Sequence, residues 1–299
     1  MIVRAPGKVV LSGAYSVLEG APAIVSAVDR GVIADGSRPA DFLTPEVAAS
    51  LNGHEAPWFD ADELRGGTQK LGLGSSAAIL VASLAARLPG IAISEAQRSE
   101  IIRTALVGHA RAQGGGSGID VMCSAIGGTI IAWHRDQQRI PEATQLPGEI
   151  YFQFFSAGLS ASTAKLLASV RALKQSDPNR YENHIGTLRH AAERAATATR
   201  ESDADALIAA LREQGDQLAA LGKDANAPIV TPELERLREA FTSHGAIYPA
   251  GAGGGDIWLH ADRVAPSQEF FDTARTLGQT PVALRLGAPG LSITESAEE

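Results

Sequence analysis

Cysteine is almost absent from the chain, which has one, Cys123, in 299 residues. A lone thiol forms no internal disulfide, and a cysteine-based zinc cluster needs several thiols, so both kinds of structure are excluded. Cys123 lies in the apolar run IDVMCSAIGG, which favours a packed helix position over a reactive one.

An excess of basic residues is also lacking. The 26 lysines and arginines face 34 acidic residues, giving a formal net charge of -8. Nucleic acids and anionic membranes are bound by clustered Lys and Arg, so neither is an expected partner. Any anionic substrate must therefore meet local positive charge, and Lys8 and Lys70 lie in or beside the motifs described below.

Long hydrophobic runs are missing as well. No segment reaches the roughly 18 consecutive apolar residues of a membrane span, and the N-terminal MIVRAPGKVV is too short in its apolar stretch for a signal peptide. The sequence therefore predicts a cytoplasmic protein. Its hydrophobic content of 44% is sufficient for a sizeable core in one large or two moderate domains.

Glycine, in contrast, is plentiful, and the segment KLGLGSS at residues 70–76 runs directly into the apolar run AAILVASLAARL, which predicts a buried helix. Helix N-termini carry unpaired N–H groups and the positive end of the helix dipole, and therefore favour phosphate. The predicted phosphate-binding loop combines glycines, two hydroxyls and one adjacent cation: Gly72, Gly74, Ser75, Ser76 and Lys70.

Two common nucleotide loops do not fit this segment. A Rossmann loop follows directly on a buried strand, whereas GGTQK precedes this loop, and a Walker A loop has a lysine after its last glycine. Two alternatives remain, namely a phosphate-binding loop of another kind and a plain glycine turn in which serine caps the helix.

Two further glycine loops and one lysine are candidates for the same site. The loop GGGSGID places Asp120 in the first turn of an apolar helix, where the helix dipole alone also favours an acid. The loop GAGGGD, residues 251–256, indicates close approach to a ligand or to another loop. Lys8 enters an apolar strand, where its ammonium needs a carboxylate or phosphate partner unless the strand end is solvated.

The order of predicted elements favours an α+β fold. Helices are predicted over residues 75–88 and 94–112, the second opened by the capping box SEAQ, and three or four more over residues 160–244. Residues 36–69 are predicted to be a loop-rich connection with one short strand. Short apolar segments predict the strands 2–12, 22–28, 31–35, 129–134, 150–156, 246–250, 257–261 and 281–287.

Four motifs, PGKVVLSGAYSVLEG, KLGLGSSAA, GSGIDV and GAGGGD, resemble in order and spacing those of the GHMP kinases, the superfamily of galactokinase, homoserine, mevalonate and phosphomevalonate kinases. The resemblance spans nearly the whole chain. GAYSVLE, HARAQGGGSGIDV, SASTAKLL and the final Asp256 are most similar to the phosphomevalonate kinase branch, although Gly115 stands where that branch usually has a lysine.

The resemblance implies a GHMP kinase fold with two domains. Residues 1–145 would form an ATP-binding domain like ribosomal protein S5 domain 2, and residues 146–299 a ferredoxin-like substrate domain. It implies transfer of the ATP γ-phosphoryl group, with Mg²⁺, to 5-phosphomevalonate by a monomer or homodimer. The alternatives are a mevalonate kinase or another GHMP kinase with an alcohol acceptor, a non-catalytic ATP or metabolite sensor, and a dinucleotide oxidoreductase.

The resemblance also implies the site residues. Lys8 and Asp120 would form the charged pair at the reacting centre, with Asp120 as general base if the acceptor is an alcohol. The ATP phosphates would contact residues of the first glycine loop, with Mg²⁺ near Ser75 or Ser76: Lys70, Gly72, Leu73, Gly74, Ser75 and Ser76. The acceptor would contact residues from three other motifs: Tyr15, Ser117, Gly118, Ser162, Ala252 and Gly253.

Overall fold

The computed structural model describes residues 1–51, 53–67, 69–135, 138–158 and 162–294. Within these residues, an antiparallel sheet is built on β2, which pairs with β1 on one side and with β6 and β3 on the other. The strands of this sheet are β1 (Ile2–Ser12), β2 (Pro22–Pro39), β3 (Pro57–Asp60), β6 (Thr129–Arg135), β7 (Gln138–Thr144) and β12 (Ser292–Ile293).

β2 is one continuous strand, so the prediction of two strands at 22–28 and 31–35 was wrong. The strand continues through Gly31, where a Cβ would lie 2.6 Å from the carbonyl oxygen of Ala5 on β1. The glycine therefore permits close contact between two strands instead of ending one of them.

Four helices pack on the first sheet or on one another beside it: α1 (Pro45–Leu51), α2 (Ser75–Ala86), α3 (Glu95–Gln113) and α4 (Ile119–Ile126). α2 is apolar on nearly all sides and lies in the core between the sheet and its neighbours, as predicted. The capping box that opens α3 is confirmed, with the Gln97 N–H 3.2 Å from Ser94 Oγ. Cys123 is buried in α4, also as predicted.

The segment 36–69 contains the one short strand that was predicted, β3, and more regular structure besides. It forms α1 and β3, as well as a small hairpin of β4 (Arg65–Gly66) and β5 (Gln69–Lys70). α1 has only seven residues and packs against α3, so tertiary contact stabilises a helix too short to form alone.

A second antiparallel sheet has the strand order β11, β8, β10, β9. Its strands are β8 (Tyr151–Ser156), β9 (Ala246–Pro249), β10 (Ile257–Asp262) and β11 (Thr280–Val282). The helices of this half are α5 (Thr163–Ser176), α6 (Pro178–Arg200), α7 (Ala204–Asp224), α8 (Pro232–Ala240) and α9 (Gln268–Thr276). Four of these fall within the region predicted to hold three or four helices.

The end of the described chain returns to the first sheet. The predicted strand 281–287 stops at Val282, because the chain then crosses to β2, where the N–H groups of Gly287 and Ala288 donate to the Ala27 carbonyl. β12 then pairs with β1. The α+β class is confirmed, whereas the division at residue 145 stays a prediction. No helix among the described residues is long and apolar enough to cross a membrane.

Candidate active site

Lys8 is attached to the first glycine loop by both its backbone and its side chain. It follows Gly7 at an irregularity in the pairing of β1 with β2. Its N–H donates to the carbonyl of Leu73 at 2.8 Å, and its ammonium donates to the carbonyl of Gly72 at 3.4 Å. An ammonium has three donors, so the bond to Gly72 leaves capacity to bind an anion.

Two glycines of the first glycine loop have left-handed backbone angles, and neighbouring atoms leave no room for a side chain at either. Gly72 and Gly74 have φ values of 72° and 76°, in the left-handed region. A Cβ on Gly74 would lie 2.9 Å from Lys8 Cε, and one on Gly72 would lie 2.6 Å from Asp256 Cβ. The first glycine loop therefore lies against Lys8 and also meets the GAGGGD loop.

The loop leads into the N-terminus of α2, where Gly74 is the capping residue. Glycine has no side chain to occupy the first N–H groups of the helix, so these donors remain available to an anion. This arrangement has the chemistry of the predicted phosphate site.

Ser76, in the first turn of α2, is connected to α1 through a polar chain that the sequence did not reveal. The Gln113 side-chain amide lies 3.3 Å from Ser76 Oγ and 3.2 Å from a carboxylate oxygen of the buried Glu46. Glu46 was missed because it lies in the segment predicted to be loop-rich. Lys70 is exposed on the β4–β5 hairpin, and Ser75 is half-buried.

Asp120 lies in the first turn of α4, where its two carboxylate oxygens have different partners. One oxygen accepts the Val121 N–H at 2.9 Å, and the other lies 3.3 Å from Nε2 of the buried His109. Burial raises the pKa of Asp120, but His109, the charge of Lys8 and the Val121 N–H outweigh burial and lower the pKa to about 2. Asp120 is therefore ionised at neutral pH and interacts with the charge of Lys8.

α4 is fixed to the strand that carries Lys8. The buried hydroxyl of Ser124 donates to the carbonyl of Pro6 at 2.7 Å. This bond joins one turn of α4 to β1 two residues before Lys8. The two members of the predicted charged pair thus lie on elements that are bonded to each other.

Tyr15, Ala252 and Gly253 come together in the structure. The Tyr15 hydroxyl donates to the Ala252 carbonyl at 2.7 Å, and burial raises the pKa of this phenol. A Cβ on Gly253 would lie 2.1 Å from the carbonyl oxygen of Ile229. The GAGGGD loop was expected to approach either a ligand or another loop closely. At Gly253 it approaches another loop, the one that contains Ile229.

The remaining predicted acceptor residues lie at helix starts. Gly118 is the capping residue of α4, with Ser117 half-buried before it. Ser162 is exposed and caps α5 by accepting the Lys165 N–H at 3.4 Å. α5 belongs to the same hydrophobic cluster as Tyr15, through Leu166. Residues 159–161, which precede Ser162, lie outside the described residues.

The part of the chain that the structure describes contains no group of three or more His, Cys, Asp or Glu side chains suited to a metal ion. Phosphate oxygens of a bound nucleotide are usual ligands of Mg²⁺.

Comparison with known proteins gives relatives of two kinds. No protein-family model matches the chain. The mevalonate kinase of Pyrococcus abyssi is 26% identical, covering 100% of this chain and 99% of that protein. The phosphomevalonate kinase of Streptomyces sp. strain CL190 is 25% identical, covering 97% and 98%.

Solved structures share the fold over nearly the full chain. The Lin0012 protein from Listeria innocua has a TM-score of 0.81 at 23% identity, covering 99% of both chains. Streptococcus pneumoniae phosphomevalonate kinase, in complex with phosphomevalonate and AMPPNP, has a TM-score of 0.73 at 18% identity, covering 96% of this chain and 99% of that one.

These similarities confirm the resemblance to the GHMP kinases and the GHMP kinase fold. The relatives are kinases at about 25% identity, and they support a phosphotransferase of the GHMP type. Its relatives include both mevalonate kinases and a phosphomevalonate kinase, at nearly equal identity.

Proposed function

We propose that this chain transfers the γ-phosphoryl group of ATP to a small acceptor of the mevalonate pathway. The observation that carries the proposal is the position of Lys8. Its side chain lies on the first glycine loop and its charge acts on Asp120, so one cation connects the phosphate site with the reacting pair.

The first glycine loop fits a triphosphate. ATP would supply the phosphoryl group, and Mg²⁺ would be held through the phosphates and the hydroxyl of Ser75 or Ser76. The chain contributes the first N–H groups of α2 and the ammonium of Lys8, which together offset phosphate charge.

Lys8 and Asp120 have complementary roles in this proposal. In phosphoryl transfer the protein mainly positions the reactants and stabilises charge that spreads over the transferred group. Lys8 neutralises that charge. Asp120, ionised and fixed on α4, orients the Lys8 ammonium.

We infer that the acceptor is 5-phosphomevalonate, which would yield the diphosphate. A general base is most effective when its pKa lies near the working pH, and the pKa of Asp120 is lowered to about 2. A phosphate monoester has a second pKa near 6, so the attacking oxygen is already ionised and needs no base. Mevalonate, an alcohol acceptor, is the second candidate because several relatives at about 26% identity are mevalonate kinases.

The test is a coupled ADP-release assay with phosphomevalonate, mevalonate, homoserine and sugars at matched concentrations. We expect the highest kcat/KM with phosphomevalonate. In the pH profile of kcat we expect no loss of activity that reports protonation of a carboxylate base. A preference for mevalonate would overturn the acceptor assignment alone, whereas turnover with none of the four would contradict the proposed activity.

A further inference from the structure

His109 is a buried histidine that the proposed reaction does not yet use. It lies on α3, eleven residues before Asp120, with only 4% of its side chain exposed, compared with 21% for Asp120. Its Nε2 lies 3.3 Å from Asp120 Oδ2. We propose that His109 is a positioning residue, which fixes the Asp120 carboxylate so that this carboxylate orients Lys8.

The two contacts of Asp120 tie its carboxylate to two different helices. Oδ1 accepts the N–H of Val121, which belongs to the same helix and follows any movement of α4. Oδ2 instead faces His109, which belongs to α3. Only the second contact ties the carboxylate to an element outside α4, so it fixes the side chain relative to the rest of the site.

α3, which carries His109, is held in place by packing against α1 and α2. Beside His109, Gly108 packs so closely on α1 that a Cβ would lie 3.2 Å from the Glu46 carbonyl oxygen and would collide with the Ser50 hydroxyl. The same helix bears Gln113, which contacts Ser76 in the first turn of α2. One helix thus braces both the reacting carboxylate and the start of the phosphate-binding helix.

The inference rests on the proposed function, because it assigns His109 to the Lys8–Asp120 pair. Small errors in the position of a reacting group are costly: displacements near 1 Å lower rates by about 100-fold, and loss of a supporting partner lowers activity by roughly 10-fold to 100-fold. A histidine that only filled space would affect folding but would not act through Asp120.

The experiment compares His109→Leu with His109→Gln, whose amide can replace Nε2 as a donor. We expect His109→Leu to lower kcat by roughly 10-fold to 100-fold, with the KM for ATP within about two-fold of wild type. His109→Gln should recover most of kcat. In an Asp120→Asn background His109→Leu should cause little further loss, because the carboxylate that it positions is absent.

The matched control is His184→Leu. His184 is also buried and lies 2.8 Å from an aspartate, Asp224, but on α6 and α7 and without contact to the first glycine loop. We expect this variant to lower Tm and leave kcat unchanged. Melting curves of all variants at the assay pH separate unfolding from catalytic loss.

Two results would overturn the inference: wild-type kcat in His109→Leu, or full additivity of its loss with that of Asp120→Asn. The proposed function fails in a different way, through wild-type kcat in Asp120→Asn itself. A damaged Asp120→Asn enzyme together with a normal His109→Leu enzyme would refute the role of His109 and leave the reacting pair intact.

Discussion

The proposed phosphate side and the proposed acceptor side of the site differ in how their polar groups are hydrogen-bonded. On the phosphate side, Lys8 keeps donors beyond its bond to Gly72, and the N-terminus of α2 has no side-chain cap. On the acceptor side, the Tyr15 hydroxyl is bonded to Ala252 and the Ser162 hydroxyl to a backbone N–H. The proposed phosphate side therefore keeps hydrogen-bond donors for an anion. The two hydroxyls of the proposed acceptor side are already bonded within the protein.

This difference explains why the reaction type is easier to infer than the acceptor. A phosphate site depends on backbone N–H groups and one cation, which glycine spacing and a lysine reveal. Acceptor recognition depends on which side chains remain unbonded after folding, and this is decided by contacts between distant segments.

The strongest test of the phosphate side is removal of its charged pair. We expect Lys8→Met to lower kcat by roughly 100-fold to 1000-fold, the scale of losing one preorganised charge, and Asp120→Asn to cause similar damage. The double variant should lose much less than the product, because the two groups act as a unit. Lys223→Met, at an exposed lysine, is the control. Near-normal kcat in Lys8→Met would remove the distinction between the two sides.

A smaller loss is expected from Gly74→Ala, with Gly67→Ala as its matched control. Both glycines have positive φ, 76° and 65°, so both alanines carry a backbone cost of about 1 kcal/mol. Only the Gly74 Cβ would strike Lys8, since among the described residues nothing beyond its chain neighbours lies within 4 Å of a Cβ at Gly67. We expect kcat to fall by roughly 10-fold in Gly74→Ala alone. Equal kinetics in the two variants would show that Lys8 adapts to the added methyl group.

On the acceptor side, Gly253→Ala should act mainly through packing. Its Cβ would lie 2.1 Å from the Ile229 carbonyl oxygen, whereas a Cβ on Gly251, also with positive φ, would have its nearest neighbour at 3.9 Å. We expect Gly253→Ala to lower stability by about 1–3 kcal/mol more than Gly251→Ala and to raise the acceptor KM. Denaturant melts and acceptor titrations measure both effects, and matching results for the two variants would contradict the contact.

Tyr15→Phe should have a milder effect on the same side. It removes the hydrogen bond to Ala252 and costs about 1 kcal/mol of stability. We expect the acceptor KM to rise a few-fold while the ATP KM stays constant. Tyr181→Phe, which loses a hydroxyl bonded to Glu19, is the control for loss of a phenol. A changed ATP KM in Tyr15→Phe would mean that the two sides are not separate.

The smallest effect on catalysis is expected at His260, outside both sides. Burial lowers the pKa of His260 to about 4, and neither ring nitrogen has a hydrogen-bond partner among the described residues. Its folded pKa lies below the unfolded value, so the unfolded state binds the proton first and stability falls as pH drops from about 6.5 towards 4.

Between pH 7 and pH 5.5 this histidine should cost about 1 kcal/mol of folding free energy. Thermal melts across this range should be flatter for His260→Leu than for the wild type, at unchanged kcat near neutral pH. An unchanged slope would show that other groups control the acid response.

Regular elements with strong local signals were predictable from the sequence. α3 has a capping box and α2 an unbroken apolar run, and both helices lie close to their predicted bounds. α1 was missed because a seven-residue helix depends on its packing against α3. The split of β2 was predicted wrongly because the two strands were separated at Asp29 and Arg30, although β2 runs through both residues.

The candidate site was only partly predictable, because some of its contacts also join segments that are distant in the chain. Lys8, Gly72 and Gly74 belong to sequence-local motifs, and the structure brings them together. His109 and Glu46 act across helices, at distances in space that no spacing along the chain encodes. The available signal for His109 was its place at the start of HARAQGGGSGIDV, a motif that carries the resemblance. Nothing in the sequence marked Glu46.

The pairing of β12 with β1 links the order of protein synthesis to the candidate active site. β1, which carries Lys8, is translated about 290 residues before Ser292 and Ile293, which pair with Arg4 and Val3 at the start of its edge. At about 5–20 residues per second, that edge stays open on the ribosome for roughly 15–60 s, and open edges pair readily with other chains. A premature stop shortly before β12 would therefore expose the strand of Lys8 to aggregation, although every residue of the proposed site had been made.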